Sequence, residues 1–378
     1  MKNIGLYIHI PFCVKKCFYC DFCSYPDTHN ISNYMNALKE EIKSFSEVLK
    51  DYQIKSIFIG GGTPSIIPID EMDKIINLLH ERFSIDKNVE WSIESNPGTL
   101  DEEKIRFYLK SGINRLSMGL QAWQNHHLKR LGRIHTKEEF VKNYLLARKL
   151  GFENINIDLM FSLPDQTLAQ WEETLAQVVK LDPEHISSYS LKIEENTIFD
   201  ELYKKDLLNI PNDEEDRKMY HFAIEYLTSF EYEHYEISNF AKANKGSMHN
   251  QIYWENKEYI GFGVGAHSYF KKERFSNETN VENYIDMIQN KKSPHITKEK
   301  IYKEDEMAET MFLGLRLMRG INIKEFEERF KISPLRVYGK SIEKFTKEEL
   351  LWNDGRNIGL TKRGIDVSNQ VFIDFLPD

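Results

Sequence analysis

The four cysteines of the chain are the residues whose type and spacing most directly indicate chemistry. Cys13, Cys17, Cys20 and Cys23 lie in one short stretch of a 378-residue sequence. Cysteines of disulfide scaffolds are spread along a chain, where they join distant loops. Closely spaced thiolates are typical of metal sites, redox sites and iron–sulfur clusters. The spacing therefore predicts a soft-metal or redox centre near the start of the chain.

Three kinds of centre fit this cysteine pattern. A [4Fe–4S] cluster held by three cysteines leaves one iron free, and that iron can bind a small molecule through an amine and a carboxylate. A four-thiolate zinc site would use all four side chains, whereas a redox pair would need only Cys17 and Cys20. The spacing favours the cluster, because zinc sites more often come as two CxxC pairs.

A glycine-rich turn is the second feature that suggests a ligand. The residues Gly60-Gly61-Gly62-Thr63-Pro64 follow an apolar, strand-like run. Glycines allow a ligand to approach the backbone closely, and a turn that leads into a helix offers free N–H groups. An ordinary tight turn is the alternative. The presence of the cysteine motif in the same chain, one strand earlier, favours a ligand-binding turn.

Strand-like apolar runs alternate with helix-like amphipathic runs over the first two thirds of the chain. This alternation predicts an α/β fold with a parallel sheet and right-handed crossovers, and the number of units predicts a full or partial (β/α) barrel. Active sites of such folds gather at the carboxyl ends of the strands. We expect the cysteine loop, the glycine turn, Glu94, Gln121 and Asp158 at those ends.

Changes of pattern divide the sequence into three parts. Residues 1–240 form the predicted barrel. Residues 241–300, rich in Asn, Lys and aromatic side chains, are expected to be an irregular connecting region, with a linker over 291–300. Residues 301–378 are expected to form a mainly helical domain with a hairpin at Asn353-Asp354-Gly355, in a winged-helix-like arrangement.

Composition and charge exclude several classes of protein. A hydrophobic content of 41% and a charged content of 29% are typical of a folded globular chain. The net charge of −9 argues against general nucleic-acid binding, which needs a basic surface. No apolar run is long enough for a membrane span, and the first residues lack the pattern of a signal peptide. We therefore expect a cytoplasmic protein without a membrane span.

An ordered series of motifs resembles the radical S-adenosylmethionine (SAM) superfamily over nearly the whole chain. The resemblance is strongest to the branch that contains oxygen-independent coproporphyrinogen III oxidase and a related heme chaperone. CxxxCxxC alone is moderately specific, whereas the ordered series is highly specific. The matching segments are YIHIPFC, YCDF, GGGTPS, ESNPG, SMGLQ, LGRIH, NIDLMFSLP, YEISNFA, HNQIYW and GFGVGAHSY.

The resemblance implies two cofactors and the residues that hold them. The [4Fe–4S] ligands fall on Cys13, Cys17 and Cys20, and Cys23 has no counterpart among them. An arginine can form a two-pronged contact with the SAM carboxylate, and a carboxylate can accept from its ammonium group or ribose. The positions that match SAM contacts are Tyr7, Tyr19, Gly61, Gly62, Thr63, Glu94, Gln121, Arg133 and Asp158.

Two features bear on which member of the branch the chain resembles. The oxidase carries an N-terminal extension before the cluster motif, whereas Cys13 lies near the start of this sequence. The oxidase also has a further cysteine two residues after its CxxC, where this chain has Phe22. Both features favour the chaperone over radical decarboxylation of coproporphyrinogen III, which remains the alternative.

A third feature is the string HNQIYW, which begins at His249 and matches a signature associated with heme binding in the chaperone branch. Imidazole is a common axial ligand of heme iron, and aromatic rings pack on porphyrins. A lone histidine is more often structural, which is the alternative for His249. The resemblance implies that the protein transfers heme to client hemoproteins, and that a flavodoxin or ferredoxin supplies electrons if SAM is cleaved.

Overall fold

The computed structural model describes residues 1–377, and one large twisted sheet runs through it. Its strand order within these residues is β12-β11-β10-β9-β1-β2-β3-β4-β5-β6-β8-β7, and a second sheet has the order β13-β15-β14. The strands are β1 (Lys2–Ile10), β2 (Tyr52–Gly61), β3 (Ser84–Ser95), β4 (Arg115–Gln121), β5 (Ile155–Phe161), β6 (His185–Ser190), β7 (Glu233–Glu236), β8 (Asn239–Ala241), β9 (Tyr259–Phe262), β10 (His267–Phe270), β11 (Glu273–Asn277), β12 (His295–Lys300), β13 (Ile321–Asn322), β14 (Leu351–Asn353) and β15 (Asn357–Leu360).

Helices cover the large sheet and build most of the C-terminal part. A short 3₁₀ helix, Pro64–Ile66, follows β2. The α-helices are α1 (Ile31–Ser44), α2 (Ile69–Arg82), α3 (Glu102–Lys110), α4 (Asn125–Arg130), α5 (Lys137–Leu150), α6 (Leu168–Leu181), α7 (Ile198–Lys204), α8 (Asp213–Ser229), α9 (Met248–Trp254), α10 (Val281–Gln289), α11 (Lys303–Gly314), α12 (Ile323–Phe330), α13 (Pro334–Val337), α14 (Gly339–Lys347), α15 (Lys362–Asp366) and α16 (Ser368–Ile373).

Strands β1 to β6 are parallel and neighbour one another in chain order, as the βα alternation predicts. Their outward apolar side chains are buried under the crossover helices: Ile57, Ile93 and Ile157 are fully buried. Because consecutive parallel strands place their carboxyl ends at one edge, the loops that follow them meet there. The predicted α/β partial barrel is confirmed.

The prediction that residues 241–300 form an irregular region is wrong. This segment holds α9, β9 to β12 and α10. β9 pairs in parallel with β1, and the next three strands continue the sheet antiparallel. The predicted linker over 291–300 contains β12, whose side chains are almost all exposed. Edge strands carry exposed lysines, which oppose aggregation, so this strand looks like a linker by composition.

The C-terminal part combines helices with the small three-stranded sheet. The predicted hairpin is present, since Leu351 pairs with Leu360 across the turn. Two ion pairs with nearly buried carboxylates attach α11: Arg274 contacts Glu309, and Arg329 contacts Glu306 at 2.8 Å. The domain limits expected at residues 240 and 300 remain predictions.

Glu41 on α1 forms a buried polar link between three parts of the fold. Its carboxylate accepts hydrogen bonds from the Gly263 amide, the Asn277 side chain and the Tyr284 hydroxyl at 2.6–2.8 Å. Burial raises the pKa of this carboxyl to about 7, although these donors act in the opposite direction. The link fixes α1 and α10 to the turn after β9.

No helix formed by residues 1–377 combines the length and the apolar character that crossing a membrane requires.

Candidate functional site

The cysteine loop follows the carboxyl end of β1 and is closed by backbone contacts. The Cys13 amide donates to the Tyr25 carbonyl at 2.9 Å, and the Tyr25 amide donates to the Pro11 carbonyl at 2.7 Å. Inside the barrel, the Tyr7 hydroxyl bonds to Nδ1 of His9 at 2.9 Å, and Nε2 of His9 donates to the Cys23 carbonyl at 2.7 Å. These contacts hold both ends of the loop against the strand.

The three predicted cluster ligands lie on this loop next to polar side chains. The Thr63 hydroxyl lies 3.5 Å from the Cys13 sulfur, and the Arg133 guanidinium lies 3.6 Å from the Cys17 sulfur. Burial raises the pKa of Cys13 and Cys20. Thiols bind metals as thiolates, so loading a cluster here would release protons. Among residues 1–377, no group of three or more His, Cys, Asp or Glu side chains is arranged to hold a single metal ion.

Cys23 has a different environment from the other three thiols. Its sulfur lies 3.3 Å from the Thr279 carbonyl and 3.8 Å from the Tyr25 hydroxyl. A Cβ on Gly265 would come within 3.0 Å of the same sulfur. Cys23 therefore packs against the turn between β11 and α10, which agrees with its having no counterpart among the predicted ligands.

The glycine turn packs directly on the cysteine loop. A Cβ on Gly62 would lie 2.6 Å from the Phe12 carbonyl oxygen and 3.0 Å from the Cys13 sulfur. Gly61 has a φ of +113°, a conformation that favours glycine, and its amide donates to Glu94 at 3.0 Å. The turn thus needs glycine for close packing as well as for any ligand.

Asn96 joins the turn to Arg133, a role that the sequence pattern did not reveal. Arg133 donates to the Asn96 side-chain oxygen at 2.6 Å, and the Asn96 amide donates to the Thr63 hydroxyl at 2.8 Å. The contacts therefore run from Cys13 through Thr63, Asn96 and Arg133 to Cys17. The motif ESNPG contains this asparagine, but its position in the sequence does not reveal the side-chain bridge.

Two predicted carboxylates, on β3 and β5, lie close enough inside the barrel to influence each other. Burial, followed by the nearby charge of Asp158, raises the pKa of Glu94 to about 8. Asp158 accepts from the Ser117 hydroxyl at 3.0 Å and the Asn156 amide at 2.8 Å. Glu94 lies at the end of β3 as predicted, but Asp158 is the middle residue of β5. An ammonium group placed between them would relieve the repulsion that raises the pKa of Glu94.

The remaining predicted SAM residues lie around the same barrel mouth. Gln121 ends β4 with a φ of +70°, a strained conformation that is common at functional sites. A Cβ on Gly119 would come within 3.0 Å of Gln121 and 3.1 Å of Arg133. Burial raises the pKa of Tyr19, and the charge of Arg133 opposes that shift. Tyr7 lies deeper, on the inner face of β1.

His249, the predicted heme ligand, lies inside the barrel on α9 and is 1% exposed. Its Nδ1 bonds to the Ser56 hydroxyl at 2.8 Å and its Nε2 to the Tyr253 hydroxyl at 2.7 Å. The ring stacks on Phe58 at 5.2 Å, and burial lowers its pKa to about 3. Both ring nitrogens carry hydrogen bonds to hydroxyl groups, and the assignment of His249 as a heme ligand stays a prediction.

Sequence comparisons agree with this arrangement. Residues 7–178 match the radical SAM superfamily, and residues 301–367 match the HemN C-terminal domain. The chain is 37% identical to heme chaperone HemW of Bacillus subtilis (strain 168), with 98% of both chains aligned. It is 36% identical to heme chaperone HemW of Lactococcus lactis (strain IL1403), with 100% of this chain and 98% of that protein aligned.

The chain belongs to the HemW family of radical SAM proteins. Among solved structures, coproporphyrinogen III oxidase (HemN) from Escherichia coli matches 99% of this chain and 90% of its own, with a TM-score of 0.86 and 21% sequence identity. At that identity the match shows a shared fold. As a radical SAM protein of the HemW family, the chain has a [4Fe–4S] cluster and SAM as its cofactors.

The donor groups of this HemW-family chain fit those cofactors. Cys13, Cys17 and Cys20 would hold the cluster, and the glycine turn, Glu94 and Arg133 would hold SAM. Together the two cofactors supply one-electron chemistry when bound. The protein's own contribution is the loop closure and the Thr63–Asn96–Arg133 contacts, which set the position of the ligands relative to the barrel mouth.

Proposed function

We propose that the chain is a heme chaperone of the cytoplasm, which binds heme and transfers it to client hemoproteins. The observation that carries the proposal is the full-length similarity to relatives named heme chaperone HemW, at 36–37% identity. Similarity over the whole chain includes the region around α9 and the C-terminal part, in addition to the cofactor-binding barrel. It therefore bears on the function of the entire molecule.

The placement of α9 supports a heme site that is separate from the SAM site. Glu90 on β3 accepts from the backbone amides of Met248 and His249 at 3.0 Å. A Cβ on Gly5 of β1 would touch Ile252 at 3.0 Å. The helix thus packs near the amino-terminal end of β1. The cysteine loop follows the opposite, carboxyl end of the same strand.

Part of the proposal concerns individual residues and partners. Cys13, Cys17 and Cys20 hold the cluster, and Tyr7, Tyr19, Gly61, Gly62, Thr63, Glu94, Gln121, Arg133 and Asp158 surround SAM. A flavodoxin or ferredoxin supplies the electron if SAM is cleaved. Phe22, which is 63% exposed, occupies the position where the oxidase pattern has a further cysteine.

Anaerobic reconstitution followed by titration tests the function. The reconstituted chain should bind heme stoichiometrically and transfer it to an apo-hemoprotein, which regains its absorption spectrum. It should leave coproporphyrinogen III unchanged in the presence of SAM and a reductant. SAM-dependent formation of protoporphyrinogen IX would instead identify a coproporphyrinogen oxidase, and failure to bind heme would reject the chaperone function.

A further inference from the structure

Arg115, the first residue of β4, is a buried cation without a partner. Residues two apart in a strand point to the same face, and the Ser117 hydroxyl donates to Asp158 in the barrel interior. Arg115 therefore faces the interior as well, where only 2% of it is exposed. Within residues 1–377 its guanidinium forms no ion pair, and its buried Nε has no hydrogen-bond partner. A guanidinium stays charged in proteins, so this charge is destabilising unless a ligand pairs with it.

The neighbouring polar group on β3 is also unpartnered. Ser92 pairs in register with Arg115, so the two side chains are adjacent on the inner face of the sheet. The Ser92 hydroxyl is fully buried and has no hydrogen-bond partner among the described residues. Buried polar groups of folded proteins are rarely left unsatisfied. A guanidinium beside a hydroxyl offers several donors at one place, which suits a carboxylate.

The carboxylates of the barrel interior do not supply that partner. Glu94 accepts from the glycine turn, Asp158 from side chains of β4 and β5, and Glu90 from the first amides of α9. Burial raises the pKa of Glu94 to about 8, so at neutral pH this carboxyl group is mostly uncharged. The positive charge of Arg115 is therefore left for a ligand.

The unpartnered pair lies beside the helix that carries the predicted heme ligand. Phe58 on β2 pairs in register with Ser92, and the ring of His249 stacks on Phe58 at 5.2 Å. Two spacings between neighbouring strands, about 10 Å in all, therefore separate Phe58 from Arg115. Burial and then the charge of Arg115 lower the pKa of His249. A porphyrin whose iron lies at α9 can extend a propionate over this distance.

We propose that Arg115 and Ser92 bind one propionate of heme inside the barrel. The inference rests on the proposed heme chaperone function, and it keeps His249 as the predicted iron ligand. Heme carries its carboxylates on one edge of an apolar ring, so a cation at one point of the interior sets the orientation of the whole ring. Arg115 begins β4, whereas the predicted SAM residues Gln121 and Arg133 lie at or after its carboxyl end. The two ligands thus use different levels of the barrel.

Binding of hemin and of its dimethyl ester, which lacks the propionate charges, to reconstituted full-length protein tests the assignment. Wild type should bind hemin more tightly than the ester. In Arg115→Met the ratio of the two affinities should fall by roughly tenfold or more, because a charge-assisted contact is lost only for hemin. Ser92→Ala should lower the ratio by a smaller factor. Its control is Ser188→Ala, since the Ser188 hydroxyl is likewise buried and unpartnered but lies on the outer face of β6.

Thermal unfolding of the same proteins without heme separates a binding role from a structural one. Removing an unpaired buried charge should leave Arg115→Met at least as stable as the wild type. A wild-type affinity ratio in Arg115→Met, or a lowered melting temperature with unchanged hemin binding, would overturn the propionate site and leave heme binding intact. If Arg115→Met does not fold, Ser92→Ala decides alone, and a wild-type ratio there overturns the site. Absence of hemin binding by the wild type would instead reject the proposed function.

Discussion

At the residue scale, the distinction among the four cysteines is open to direct test. We expect Cys13→Ala, Cys17→Ala and Cys20→Ala each to abolish the visible absorption of the anaerobically reconstituted cluster, because each removes one of the three predicted thiolate ligands. Cys23→Ala should largely retain the absorption, since its sulfur packs against Thr279. Stoichiometric zinc without iron in anaerobic protein would contradict the cluster.

Arg133 is expected to matter for SAM more than for folding. Arg133→Ala removes a charge-assisted contact, which is worth about 1.5–3 kcal/mol, and also releases Asn96 from its 2.6 Å hydrogen bond. Equilibrium binding of SAM should weaken accordingly. Arg130→Ala is the control, because the ion pair between Arg130 and Asp165 is half-exposed. Unchanged SAM affinity in Arg133 and Asp158 variants would contradict the assigned SAM site.

Sequence motifs located the site residues better than they located the contacts among them. Residue types and spacing identified Cys13, Glu94 and Arg133 as candidates. They did not reveal Asn96 as the link between Thr63 and Arg133, because a side-chain bridge depends on packing across three loops. They predict a heme ligand at His249, and only the fold shows that hydroxyl groups bond to both of its ring nitrogens.

At the element scale, the buried side chain of His249 holds α9 against β2 through its hydrogen bond to Ser56. We expect His249→Ala to lower the free energy of unfolding by roughly 3 kcal/mol, because it leaves a cavity and two hydroxyl groups without their partner. Met248→Leu, on the exposed face of the same helix, should change stability little. Thermal unfolding of the apo proteins measures both, and equal stability of His249→Ala and wild type would contradict the structural role.

The buried carboxyl group of Glu41, which links α1 to α10, predicts that the stability of the fold depends on pH. The pKa of Glu41 is about 7 in the folded chain, whereas an ordinary glutamate, as in the unfolded chain, has a pKa near 4.5. Folded protein keeps this proton while unfolded protein loses it, so the free energy of unfolding should fall as pH rises from about 4.5 to about 7. The groups facing Glu41 are the phenols of Tyr34 and Tyr284, which stay neutral over this range.

Glu41→Gln should flatten that decline, by an amount on the order of 3 kcal/mol for a shift of this size. Chemical denaturation at several pH values measures the difference from wild type. The control is Glu40→Gln, since Glu40 is exposed and pairs with Lys43 on the surface of α1. An identical pH profile for Glu41→Gln and wild type would show that Glu41 titrates normally in the folded chain.

Element types were predictable where the pattern was strong and repeated. The strand and helix runs up to β6 follow the predicted order, because buried parallel strands and amphipathic helices leave clear periodicities. β9 to β12 were missed because β9 to β11 are short, at four or five residues each, and β12 is exposed and carries two lysines. Their strand character comes from pairing outward from β1, which a local pattern does not encode.

At the scale of the whole molecule, Arg329 on α12 pairs with Glu306 on α11 and also donates to the Glu255 and Asn256 carbonyls after α9, so it ties the C-terminal helices to each other and to the rest of the chain. Arg329→Ala would leave Glu306, which is 6% exposed, with a weaker partner in Lys272 at 3.4 Å. Breaking a buried ion pair lowers the free energy of unfolding by about 3–5 kcal/mol. Because Arg329 is partly exposed, we expect a loss near the lower of these values. Thermal unfolding should show the loss, with Arg336→Ala, an exposed position on α13, as control.

The pairing of β1 with β9 determines when the sheet can be completed during synthesis. Gly5 pairs with Tyr259, so the first strand to leave the ribosome waits for a partner made much later. At about 5–20 residues per second, that wait is on the order of tens of seconds. Throughout it, one edge of β1 offers unpaired N–H and C=O groups to other chains. The nascent chain is therefore open to non-native strand pairing until β9 emerges, and slower translation lengthens this vulnerable period.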